Sequence, residues 1–153
     1  MIRSLVFDFD GTLVRSNEIK RRAFFEAAQS QGADAEIVAT VLDSGEAGDR
    51  YQVLATVARR LEADGHFPSG VSVEDVARLM EQEYSRICEM EITVCNEVGG
   101  AGQTLRQLCR AGYSMFVSSA TPTHYLRRLV ERRSLAPYFV EVLGAESDKT
   151  ANL

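Results

Sequence analysis

At 153 residues, with 45% hydrophobic and 25% charged side chains, the sequence has the size and balance of one globular domain able to bury a core. A formal net charge of -5 argues against a general binder of nucleic acid or of anionic membrane, and no apolar run approaches the roughly 20 residues of a spanning helix. Cys88, Cys95 and Cys109 are odd in number and lack C-x-x-C spacing, which speaks against a disulfide framework or a zinc site. With no signal-peptide pattern at the start, the expectation is a reduced, cytoplasmic protein.

Leu5, Val6 and Phe7 form an apolar run suited to a buried strand, and it ends in Asp8-Phe9-Asp10-Gly11-Thr12. At period two, Asp8 and Asp10 point the same way for as long as the chain stays extended. Two carboxylates side by side repel and lose hydration, so the pair suggests cation or phosphate chemistry. Gly11 is the expected turn.

A long helical region follows. The first helix is expected from about Asn17 to Gln31, with Ile19, Ala23, Phe24, Ala27 and Ala28 on its apolar face and Gly32 past its end. Asp34 is placed to cap a second helix carrying Ile37, Val38, Val41 and Leu42. A polar break over 43–48 leads to a third, from about Asp49 to Asp64, with Tyr51, Leu54, Val57, Ala58 and Leu61 as its buried stripe. After the loop 66–70, Ser72 and Asp75 have capping-box spacing and open a fourth helix. Its inward positions are Val76, Leu79, Met80, Tyr84, Ile87 and Cys88.

The pattern then alternates. Gly99 and Gly100 precede a helix through Leu105, Leu108 and Cys109, closed by Gly112. A strand spans Tyr113 to Ser118, and Thr121-Pro122 read as N-cap and first residue of a helix carrying Leu126, Leu129 and Val130. Pro137 leads into a strand at about 138–143, and a last helix is expected near Asp148. Strand and helix in alternation imply a parallel α/β sheet with right-handed crossovers. The helical block, 16–95, reads as an insertion into a core made of 1–15 and 96–153.

In open α/β sheets ligands bind at the carboxyl ends of the strands. Three such ends carry useful groups: Asp8 and Asp10 after the first strand, Ser119 after the second, and Lys149 after the third. A hydroxyl at a helix N-terminus suits a phosphate, and a lysine beside aspartates neutralises carboxylate and phosphoryl oxygens together. The chemistry these groups suggest is phosphoryl transfer through an aspartyl-phosphate.

At these residues the sequence resembles the haloacid dehalogenase superfamily, in its phosphatase and β-phosphoglucomutase-like branch with a helical cap. Asp8-Phe9-Asp10-Gly11-Thr12 meets the DxDGT motif in full, Ser119 meets the second motif and Lys149 the third. The resemblance implies a Rossmann-like parallel core with an inserted four-helix cap. It also implies a Mg²⁺-dependent phosphatase of small phosphorylated metabolites, or a phosphoglucomutase-like phosphotransferase. By it, Asp8 is the nucleophile and Asp10 the acid/base. Mg²⁺ is held by the Asp8 carboxylate and the Asp10 carbonyl. Gly11, Thr12 and Ala120 line the phosphate, and Arg50 is the cap arginine that meets a second anionic group. A solvated helix-start arginine is an equal reading of Arg50.

The family's fourth motif, a pair of acids after a fourth strand, is not met before Leu153. The expectations are therefore a truncated core that lacks its C-terminal strands, weak activity, and an exposed edge on the first strand. A second reading is a non-catalytic phosphate-binding or oligomerising module, in which a further copy covers that edge. A response-regulator receiver is disfavoured by the helical insertion. Neither nucleic acid nor membrane is an expected partner. His66 and His124 read as surface residues, and Arg127, Arg128, Arg132 and Arg133 as a solvated basic helix face.

Overall fold

The computed structural model describes residues 3–44, 48–67 and 70–145. Three strands, β1 (Ser4–Phe7), β2 (Ser114–Ser118) and β3 (Glu141–Leu143), form a parallel sheet in the order β1-β2-β3. Leu5 lies opposite Met115, Phe7 opposite Val117, and Val117 opposite Val142. These residues share one face, and Met115 and Val117 are buried there. Each buried side chain of this size contributes on the order of 1.5–3 kcal/mol of transfer free energy. Among the described residues β1 pairs with β2 alone, and Val6 is 40% exposed.

The six helices are α1 (Asn17–Gln29), α2 (Ala35–Asp43), α3 (Arg50–Ala63), α4 (Val73–Val94), α5 (Ala101–Arg110) and α6 (Thr123–Arg132). A 3₁₀ turn at Ala136–Tyr138 occupies the beginning of the expected third strand, because Pro137 fixes φ and lacks an N–H for the ladder. The described chain divides into two compact units: one up to residue 18 together with 89 onward, the other 19–88.

In the helical unit α1 buries Ala23, Ala27 and Ala28, a stripe of small side chains. Phe24 beside it meets the Tyr84 ring of α4 at 4.5 Å between centroids. Val53, Leu54, Val57, Ala58 and Leu61 of α3 and Val76, Met80, Tyr84 and Ile87 of α4 complete the core. Asp49 closes a capping box with Gln52 at the start of α3. Ser72 Oγ accepts the Asp75 N–H at 3.1 Å, while its own hydroxyl donates to the Asp75 carboxylate at 2.9 Å.

Several sequence expectations are corrected. Tyr51 is 48% exposed in the first turn of α3, where Val53 takes its place on the buried stripe. Leu79 is 43% exposed, since the inward row of α4 runs 76-80-84-87 and passes beside it. Cys109 is exposed in the last turn of α5, whereas Cys88 is buried as expected. Asp34 occupies the N-cap of α2, yet its side chain makes no capping bond. Pro122, rather than Thr121, is the N-cap of α6.

The basic face of α6 is engaged more than its composition suggests. Arg128 and Arg132 both pair with Glu89 of α4, at 3.1 and 2.8 Å. Arg133 Nη1 donates to the Ile92 and Thr93 carbonyls at 2.7 and 3.1 Å, which otherwise end α4 without intrahelical partners. Through these bonds the last turns of α4 group with the sheet, and the units part at 88/89. The two chain crossings also lie side by side. Arg15 N–H donates to the Asn96 carbonyl at 2.9 Å and Val98 N–H to the Leu13 carbonyl at 3.0 Å, with Val14 bridged to Glu97.

Candidate active site

β1 ends at Phe7, and the chain then turns tightly. Leu13 N–H donates to the Phe9 carbonyl at 3.0 Å and Gly11 N–H to the Val14 carbonyl at 2.8 Å, with Phe9 and Val14 fully buried beneath the turn. Gly11 sits at φ +72°, a left-handed backbone that favours glycine. The buried residues anchor the turn while Asp8, Gly11 and Thr12 stay exposed on it.

Asp8 accepts the N–H of Phe9 on Oδ1 at 2.8 Å. Asp10 is half-buried and receives three hydroxyls. Ser16 Oγ donates to Oδ1 at 2.6 Å. Ser119 Oγ and Thr121 Oγ1 donate to Oδ2 at 3.2 and 3.3 Å. Ser16, Ser119 and Thr121 are themselves buried, at 0%, 2% and 3% exposure, so little water competes for these bonds. The Thr121 N–H donates to Ser119 Oγ at 3.1 Å.

The loop after β2 is registered against β3. Ser119 N–H donates to the Leu143 carbonyl and Ala145 N–H to the Thr121 carbonyl, each at 3.0 Å. Gly144 N–H donates to Thr123 Oγ1 at 3.1 Å.

The geometry therefore brings together Asp10 and Ser119, two of the residues singled out from the sequence, with Asp8 on the same turn and Ala120 exposed between Ser119 and Thr121. Arg50 lies in the helical unit. Its Nη1 donates to Ser85 Oγ at 3.3 Å, its guanidinium lies 5.1 Å from the Tyr84 ring centroid, and Ser85 donates on to Glu81 at 2.7 Å. Lys149 lies outside the described residues. Ser16 and Thr121 were not anticipated as site residues. Thr121 was read as a helix cap, and Ser16 belongs to no pattern that periodicity reveals.

Mg²⁺ uses hard oxygen donors and commonly keeps one or two carboxylates with phosphate and water. Among the described residues no group of three or more His, Cys, Asp or Glu side chains converges. The exposed carboxylate of Asp8 and the main chain of Asp10 fit such a shared site, not an all-protein cage.

A family model for the haloacid dehalogenase-like hydrolases matches residues 5–152. The chain belongs to that family. The chain of this hydrolase family is 29% identical over 148 residues to a phosphoglycolate phosphatase from Pectobacterium atrosepticum, covering 95% of the chain and 59% of the relative. It is 27% identical over 127 residues to the protein CbbY of Rhodobacter capsulatus, covering 78% of the chain and 51% of that protein. Among solved structures, a predicted phosphoglycolate phosphatase from Haemophilus somnus superposes with a TM-score of 0.71 at 18% identity, over 97% of this chain and 64% of that one. CbbY from Rhodobacter sphaeroides in complex with xylulose-1,5-bisphosphate gives 0.64 at 21% identity, over 97% and 66%. These structural likenesses carry the fold: a parallel α/β sheet with helices. The chain spans about 59% and 51% of the lengths of these two curated relatives. No helix among the described residues is long and apolar enough to cross a membrane.

Proposed function

We propose that this haloacid dehalogenase-like chain is the catalytic part of a phosphatase that hydrolyses small phosphorylated metabolites through an aspartyl-phosphate. The observation that carries the reading is the hydrogen bond from Ser119 to Asp10 across 109 residues of sequence, which unites two strand ends at the DxDGT turn. The phosphoglycolate phosphatase name of the Pectobacterium relative supports it.

In this reading the Asp8 carboxylate attacks phosphorus and the bond to the leaving oxygen breaks. Asp10 gives its proton to that oxygen, then takes one from the water that hydrolyses the aspartyl-phosphate. Thr12, Ala120 and the Gly11 backbone receive the phosphoryl oxygens together with Ser119, and Lys149 balances their charge. Asp8 and the Asp10 carbonyl would hold Mg²⁺, which when bound offsets negative charge on the phosphoryl group. Arg50, whose guanidinium donates to Ser85 and lies against the Tyr84 ring, is the residue of the helical unit assigned to a second anionic group of the substrate.

The test is hydrolysis of p-nitrophenyl phosphate with Mg²⁺. Asp8→Asn is expected to lower turnover on the order of 10³-fold or more, as loss of a nucleophile does. A loss below tenfold refutes the assignment.

A further inference from the structure

Thr121 stands where all three strand ends meet. Its hydroxyl donates to Asp10 beyond β1, its amide donates to Ser119 at the end of β2, and its carbonyl accepts from Ala145 beyond β3. It is 3% exposed, so its backbone and side chain are both held by these contacts. Such placement is more than a helix start requires, because Pro122 already occupies the N-cap of α6.

The two oxygens of Asp10 are held differently. Oδ1 accepts the Ser16 hydroxyl at 2.6 Å. Oδ2 accepts the Ser119 and Thr121 hydroxyls at 3.2 and 3.3 Å. The Thr121 amide limits Ser119: with its oxygen engaged by that N–H, the Ser119 proton is directed at Asp10. Thr121 therefore sets both contacts on Oδ2, one through its side chain and one through its main chain.

We propose that Thr121 is a positioning residue for proton transfer by Asp10, orienting the carboxyl group through Oδ2. The inference rests on the function proposed above and deepens it. During phosphorylation the substrate P–O bond breaks, the P–O bond to Asp8 forms, and the Asp10 proton passes to the leaving oxygen. The carboxylate so formed is met by the Thr121 and Ser119 hydroxyl protons. During hydrolysis water adds to phosphorus, its proton returns to Asp10, and the P–O bond to Asp8 breaks to release the carboxylate. A hydroxyl that aims the acid matters most where the leaving oxygen most needs a proton.

Leaving-group dependence distinguishes this role from a structural one. Thr121→Val keeps the β-branch and removes the hydroxyl; Thr121→Ala serves the same purpose if valine is not accommodated. Transfer to Asp8 is followed by intact mass with acetyl phosphate, whose leaving group needs no proton. Turnover is followed with an alkyl phosphate, whose leaving group does. The fall is expected to be about tenfold greater for the alkyl phosphate than for acetyl phosphate, with Thr121→Ser restoring most of the difference. Equal falls with both donors, or none with either, overturn the inference alone. Absence of any transfer from acetyl phosphate to Asp8 in the unsubstituted protein overturns the proposed function and this inference with it.

Discussion

Gly144 is buried directly after β3, and its replacement by alanine tests the registration of the site loop. A methyl group there would lie 2.4 Å from Thr123 N and 2.5 Å from both Thr123 Cα and Oγ1. Ordinary contacts between such atoms are about 3.5–4.0 Å, and two of the three opposing atoms are backbone, which cannot rotate aside. Relief requires the β3 exit and the first turn of α6 to separate, and this lengthens the 3.1 Å bond from Gly144 N–H to Thr123 Oγ1. Overpacking of this kind costs about 1–3 kcal/mol and the weakened hydrogen bond about 1 more. Alanine also lowers the entropy of the unfolded chain, which returns roughly 0.4–1 kcal/mol. The net expectation for Gly144→Ala is a loss of about 1–3.6 kcal/mol, seen in urea as a lower midpoint with an unchanged slope. In a thermal scan the midpoint should fall by roughly 2–14 °C. A loss below about 0.5 kcal/mol would refute the close approach of β3 to α6.

Met80 is fully buried in α4, so Met80→Ala should destabilise the helical unit by about 2–5 kcal/mol; less than about 1 kcal/mol in urea unfolding would contradict its place in the core. Burial pushes the Cys95 thiol above its ordinary range, with the Asp10 charge adding to the rise and Arg133 opposing it. Its alkylation by iodoacetamide should therefore turn on at higher pH than that of a model cysteine peptide, since the thiolate is the nucleophile. A raised folded-state value favours the native protein below the unfolded thiol value, and that contribution is lost as pH rises through the folded one. A Cys95 profile at or below the model peptide's would remove both expectations.

The parts of the fold legible in the sequence are those governed by local rules. Ser72 and Asp75 open α4 with the expected spacing, and the buried faces of α1 and of most of α4 follow helical spacing. Tyr51 and Leu79 escaped because a helix terminus and a flank position obey tertiary surroundings more than periodicity. Asp8, Asp10 and Ser119 could be found because each follows an apolar strand. Thr121 and Ser16 could not, because their importance comes from where their hydroxyls converge, and a serine or threonine beside a helix start has a simpler local explanation. The charge of α6 was legible, but not its partner: nothing in the spacing of Arg128, Arg132 and Arg133 points to Glu89 or to the end of α4.

The short ribbon between Leu13–Arg15 and Asn96–Val98 has a consequence for how the protein can change over time. Because the ends of the inserted segment already meet, the sheet experiences residues 16–95 as one closed loop whose length hardly matters to it. Doubling a flexible loop adds only about 0.6 kcal/mol to its closure. The ribbon is thus a socket. A shorter hairpin or a larger helical block could be spliced between Arg15 and Asn96 and leave β1, β2 and the turn at Asp10 in register.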